Sequence, residues 1–471
     1  MPLILGTNSI KDTGFNVANS VRLNRGDSAN FTRTPSSASN RRTWTWSGWV
    51  KRSGLGNIQT LFDGSDGGYP EIFYFDADDK FLYHHDISGS DYKLISSQVF
   101  RDVGAWMHIV VAKDTTQSTE TNRLKVYVNG SQITMNESAL GYPTQNFEGA
   151  ININDLHIIG NWKGNSYYVD GYLCEVAFID GTQLDATSFG EFDEDSPTIW
   201  KPKDVSDLTF GTNGFYLDFE DSSALGNDVS GNNNDYTPNN LAATDQSTDT
   251  CTNNFATMNP LDNYYSANTF SEGNLKVVTP TGATTWNTGT FGLSSGKWYW
   301  EVKYSAKSNS NAAMIGIAEA PTTSASTVLG RDTSIANVSY YVNGNVYNAN
   351  SNSSYGNTYD VGDIIGVYLD LDNNKLYFSK NGTLQNSGTG VSITAPASTG
   401  TGVYFPAVGD FATPTTSSLT FEFNFGSPIY SISSSNTDGE YGNFEYSTTI
   451  TGDGASKTFK ALNSANLSEF G

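Results

Sequence analysis

The stretch from Val361 to Gly382 reads VGDIIGVYLDLDNNKLYFSKNG. Ile364, Val367, Leu369 and Leu371 set apolar side chains along an extended run, and Gly366 interrupts them where something must pack closely. Asp372, Asn373 and Asn374 follow, short polar side chains that tolerate left-handed backbone angles and so turn the chain. Leu376 and Phe378 then resume a period of two with Tyr377 on the other face, and Asn381-Gly382 supplies a second turn. Two strands with tight turns at this spacing predict an antiparallel sheet with a buried face.

The whole chain shares this grammar. At 471 residues it has room for two or three domains. Gly 46, Tyr 26 and Phe 26 against Met 5 favour strands and turns, and no long amphipathic helix is visible. The apolar fraction is 37%, but aromatics at 13% bury large areas per residue, so sizeable cores are expected. A net charge of −23 without a basic run excludes phosphate backbones and anionic membrane surfaces as ligands, so neither nucleic acid nor membrane is an expected partner. No run approaches the ~20 apolar residues of a membrane span. Met1 to Ile10 lacks the charged start and small-residue cleavage site of a signal peptide. Cys174 and Cys251 stand far apart in sequence, form no disulfide framework, and read as free structural thiols.

Phe15 to Phe31 reads as a first pair of short strands. Arg41 to Arg52, RRTWTWSGWVKR, alternates strictly: Trp44, Trp46 and Gly48 fall on one face, Thr45, Ser47 and Trp49 on the other. Further strands are expected at Leu61–Gly64, Ile72–Phe75, Lys80–His84, Gly104–Val111 and Leu124–Gly130, the last (LKVYVNG) running into an Asn-Gly turn. Residues 226–260, including GNDVSGNNNDYTPNN, are almost without apolar side chains and read as a linker or long loop.

Two resemblances follow from these motifs. The hairpin, with Lys297-Trp298-Tyr299-Trp300-Glu301-Val302 and Ile315-Gly316-Ile317 before it and Tyr404-Phe405-Pro406-Ala407-Val408 and Phe423-Asn424-Phe425-Gly426 after it, resembles a SPRY domain. That family implies a β-sandwich that binds partners through its loops and has no catalytic activity of its own. The Trp-rich strand, Gly104-Ala105-Trp106-Met107-His108, Tyr127–Gly130, Ile159-Gly160 and Asp170–Leu184 resemble, in this order, a laminin-G-like (concanavalin-A-like) sandwich closed by Tyr216–Phe219. The expected fold is all-β: a laminin-G-like jelly roll over residues 1–225, a polar linker over 226–261, a SPRY-like sandwich over 262–430, and a tail over 431–471 that serves as an assembly contact.

Few residues invite chemistry. Gly292-Leu293-Ser294-Ser295-Gly296 fits the nucleophile-elbow pattern, but a strand follows where a helix is required, so it reads as a turn. His84 and His85 point to opposite faces of a strand, and His108 and His157 read as satisfied core histidines. Asp370, Asp372 and Asn374 begin like a calcium loop, yet Lys375 stands where the loop needs glycine, leaving a hairpin turn. Asp63, Asp66 and Asp170 are the candidate Ca²⁺ ligands, because laminin-G-like sandwiches can carry calcium on loop carboxylates. The paired carboxylates of a concanavalin-A-like glucanase are not found: Glu175 stands alone in its strand. Trp162, Tyr167 and Tyr168 in the first half, with Tyr340 and Tyr341 in the second, are the candidate ligand-binding residues, because sugar C–H faces pack on aromatic rings.

The pairing of two such sandwiches in an acidic chain resembles tail-fibre and virion surface proteins of tailed phages. It implies a non-enzymatic receptor-binding adhesin on the phage particle. Its expected partners are a host surface glycan or receptor, other virion proteins and copies of itself, with trimers common in such fibres. A capsid decoration or head-fibre protein and a glycan depolymerase are the competing expectations.

Overall fold

The computed structural model describes residues 14–66, 69–86, 91–262, 267–282, 284–309, 311–322, 327–411 and 417–471; Met1 to Ile10 lies outside them. The chain divides into two compact units, Asp12–Thr252 and Asn253–Gly471. Each is an antiparallel β-sandwich, so the all-β expectation holds.

In the first unit the Trp-rich strand Thr43–Arg52 pairs with Met107–Asp114 on one side and Gly171–Asp180 on the other. Trp44, Trp46 and Val50 point inward among Phe62, Phe73 and Phe178, while Trp49 points the other way, as a period of two requires. Gly48 shares the inward face, and a Cβ there would lie 2.6 Å from the Trp46 indole. Glycine therefore lets that ring lie across its own strand. The facing sheet runs Met135–Ala139, Tyr92–Val99, Lys80–His85, Tyr69–Phe75, Gln59–Asp66, His157–Ile159, Asn30–Arg33 and Thr237–Asn239 in spatial order. Between the sheets Lys113 Nζ donates to Glu71 Oε1 at 2.5 Å, with both side chains fully buried. Burial pushes the Glu71 carboxyl up, but Lys113, His85 and the Ile151 N–H outweigh it and leave it at about 2.

A third layer covers the outward face of the Trp-strand sheet, where Phe189, Trp200, Val205 and Phe210 pack on Trp49, Trp106, Val110 and Tyr172. Residues 226–252, expected as linker, belong to this unit. Thr237–Asn239 pairs with Asn30–Arg33 at one sheet edge and Gln246–Ser247 with Ser20–Leu23 at the other. Polar groups make the attachments: Asp228 accepts from Tyr216 N at 2.9 Å and Asn234 N at 2.7 Å, and Asp249 from Lys51 Nζ at 2.6 Å. A segment held by carboxylates and amides lacks the apolar period by which strands are read.

In the second unit the hairpin Ile364–Asp370/Lys375–Lys380 forms with Asp370 opposite Lys375 and Asn374 at φ 52° in the turn. Ile365, Val367, Leu369, Leu376 and Phe378 enter the core; Tyr368 and Tyr377 face outward. Gly366 is where Tyr299 crosses: a Cβ there would meet the Tyr299 hydroxyl at 2.9 Å. The nine-stranded sheet containing this hairpin packs on a six-stranded one that includes Ala313–Ala318, Asn337–Tyr341 and Phe405–Asp410.

Residues 431–471, expected as a C-terminal tail, fold onto the outward face of the hairpin sheet. Phe444 lies 4.8 Å from Tyr299 and Phe459 5.3 Å from Tyr368, centroid to centroid. Lys460–Ala461 pairs in parallel with Lys297–Lys307, and the chain ends in the helix Ser464–Phe470. Glu301, fully buried, accepts from Tyr446 N at 2.8 Å, Glu445 N at 3.1 Å, Asn424 Nδ2 at 3.0 Å and the Tyr299 hydroxyl at 3.0 Å.

Candidate functional site

In the first sandwich the loop 160–169 crosses the outward face of the sheet built on Gln59–Asp66, Tyr69–Phe75 and Lys80–His85. Trp162 lies 5.4 Å from Tyr167, 6.5 Å from Tyr74 and 6.4 Å, edge-on, from His84. Beneath it Ile72, Tyr74 and Leu82 form a small satellite core. Adjacent His84 and His85 face opposite sides, His84 toward Trp162 and His85 toward Phe147. Hydrogen bonds hold the loop: Thr60 N donates to Tyr167 O at 2.9 Å, and Tyr167 N to Asn161 Oδ1 at 3.1 Å. Trp162, Tyr167 and Tyr168 are all half-buried, so the expected trio shares one loop and keeps part of its ring surface in solvent.

Asp63 is the loop's anchor rather than a rim ligand. It is fully buried and accepts from Lys163 N at 2.8 Å and Ser65 Oγ at 3.1 Å, and burial pushes its carboxyl up to about 7. Asp170 is half-buried, and its carbonyl accepts from Ser53 N at 2.9 Å, at the end of the neighbouring strand. The Asp66 side chain lies outside the described residues. Among the described residues no three His, Cys, Asp or Glu side chains converge on a metal position.

In the second sandwich the two adjacent tyrosines separate. Tyr340 is fully buried against Tyr359 (5.2 Å) and Phe378 (5.3 Å) with its hydroxyl on Asn357 O, so it is a core residue and not a platform. Tyr341, half-buried, faces outward in T-shaped contact with Tyr347 at 5.8 Å and Phe411 at 5.6 Å. The Arg331 guanidinium stacks on the same two rings, 5.8 Å from Tyr347 and 5.2 Å from Phe411.

A cleft of ≈ 300 Å³ opens in this sandwich between residues 333–338, Asn348-Ala349 and the loop 394–404. Sequence reasoning did not find it. Glu319, just past the strand Ala313–Ala318, ties its walls together by accepting from Ala336 N at 2.8 Å and Gly400 N at 2.5 Å. Asn337 fixes the first wall by donating to Ile335 O at 2.7 Å and Asp332 O at 2.9 Å. On the other side Tyr404 donates to Thr394 O at 2.9 Å. Thr333, Ser334, Thr394 and Ser398 on its rim are exposed, and among the described residues no Lys or Arg lines it. Such a recess can meet hydroxyls and amides. The sequence signal was faint: a carboxylate and an asparagine that both work on backbone groups look like any turn residues.

Residues 297–427 match the SPRY domain family and residues 25–186 the Concanavalin A-like lectin/glucanases superfamily. Laminin-G-like and SPRY domains are typically non-catalytic binding modules. No curated protein matches the sequence. Among solved structures, the SPRY domain of human HERC1 is similar at 18% identity over 32% of this chain and 87% of that one, with a TM-score of 0.27. The mouse laminin alpha1 chain domains LG4-5 align over 85% of this chain and 84% of that one at 7% identity, with a TM-score of 0.29. A heptameric SAP-like pentraxin from Limulus polyphemus is 16% identical over 33% of this chain and 71% of that one, with a TM-score of 0.25.

Proposed function

We propose that this chain is a non-catalytic binding protein whose two sandwiches recognise neutral, hydroxyl-rich host surface glycans, and that it acts on a phage particle as a receptor-binding adhesin. The cleft of the second sandwich carries the binding reading: ≈ 300 Å³, walled by hydroxyls and amides and, among the described residues, without a cation. That is the size and chemistry of a site for one or two sugar rings. The half-buried Trp162 and Tyr167 add a stacking surface on the first sandwich. The phage assignment draws on the sequence resemblance.

A glycan panel probed with the full chain tests this. Ser398→Trp fills the cleft from an exposed rim position and is expected to weaken binding at least about tenfold. Trp162→Ala is expected to give a smaller loss. Release of reducing sugar by the wild-type chain, or undiminished binding by Ser398→Trp, contradicts the reading.

A further inference from the structure

Cys174 and Cys251 meet in the first sandwich despite their separation in sequence. Cys174 sits on the outward face of Gly171–Asp180, fully buried among Trp49, Trp106, Tyr172 and Ala177. Cys251, half-buried, packs against the same cluster on the strap that follows Gln246–Ser247. The two thiols lie close enough for each to act on the other's ionisation, and both cysteines are free.

The strap is pinned on both sides of Cys251. Asp249 accepts from Lys51 Nζ at 2.6 Å and Trp106 Nε1 at 2.9 Å, while its carbonyl accepts from Ser20 Oγ at 2.6 Å. One residue beyond, Thr252 Oγ1 accepts from Val17 N at 3.1 Å. Both cysteines thus share one packed cluster, with the strap anchored on either side of Cys251.

We propose that Cys174–Cys251 is an intramolecular cross-linking site that a disulfide oxidant such as oxidised glutathione closes. The Cys251 thiolate, on the accessible side, attacks the glutathione disulfide and releases one glutathione thiolate. The Cys174 thiolate then attacks the Cys251 sulfur of the mixed disulfide and releases the second. Two thiols are oxidised to one Sγ–Sγ bond, one disulfide is reduced to two glutathiones, and the two thiol protons leave with them. Burial pushes both thiols up, so exchange is slow near neutrality and faster at alkaline pH. The product staples the strap to a central strand and closes a long loop, which restricts the unfolded chain.

The full chain incubated with oxidised glutathione at mildly alkaline pH, then denatured, alkylated and weighed, tests this without any variant. The expected result is a species that takes up no alkylating reagent, is lighter than the reduced protein by two hydrogens, and yields one peptide pair joining the two cysteines. The first sandwich should then melt roughly 5–10 °C higher, a shift reversed by dithiothreitol and absent in Cys251→Ser. Full alkylation of both thiols, a lasting glutathione adduct, dimers joined between chains, or a link that leaves the melting midpoint unmoved overturns the proposal.

Discussion

Trp200 Nε1 donates to His108 Nδ1 at 3.1 Å, which leaves Nε2 to carry the ring proton toward Ser47 Oγ at 2.8 Å. Burial holds this imidazole down at about 3 and that of His157 at about 4, and it lowers His84 and His85 as well. Below pH 6.5, the ordinary histidine value, the unfolded chain therefore binds protons that the folded one refuses, and acid lowers stability. Glu175 works the other way. It sits at a bulge with φ 52°, donor partner Tyr216 at 2.5 Å, and burial pushes it up to about 8; Asp63 is raised to about 7. Their stabilising protons are bound below the ordinary carboxylate range and are lost from the folded chain as pH rises through 7 to 8. Four imidazoles outweigh two carboxyls on the acid side, so the first sandwich should be most stable near pH 6.5, measured by urea unfolding across pH. Glu175→Gln should flatten the alkaline limb; an unchanged limb in that variant contradicts the assignment. At this scale the sequence was readable only in part. The faces of Trp44, Trp46 and Trp49 followed from alternation, but which of Tyr340 and Tyr341 turns inward depends on the pairing of Tyr340 with Ile315, a long-range register.

The hairpin Ile364–Lys380 was legible because every local choice agrees: period, turn residues and a glycine under Tyr299. The C-terminal segment was not, because one buried acid and two phenylalanines without a period hold it in place. Glu301 is its clamp, and burial pushes that carboxyl up even though five donors face it. Glu301→Ala leaves the Glu445 and Tyr446 N–H groups without their acceptor and should destabilise the second sandwich by about 3 kcal/mol. Limited proteolysis should then cut within residues 431–471 well before the rest of that unit. Resistance equal to wild type in this segment would show that the aromatic contacts of Phe444 and Phe459 suffice.

For the whole chain, the division falls after Thr252 and not at the composition change near residue 226. Residues 226–252 carry edge strands for both sheets and Asp249, whose carboxylate accepts from buried Lys51. A protein ending at Leu225 leaves that ammonium buried without Asp249, a loss of about 3–5 kcal/mol, whereas one ending at Thr252 keeps it. Circular dichroism melts of the two truncations should show a cooperative transition for the longer and a broad or absent one for the shorter; equal melts contradict the boundary. Glycan recognition is proposed to belong to the cleft of the second sandwich. Hydrogen–deuterium exchange of the full chain, with and without the tightest-bound glycan of the panel, tests it most directly. Protection should appear in residues 333–338 and 394–404, the two walls joined by Glu319. Saturating glycan that leaves both walls exchanging as in the free protein would contradict the account.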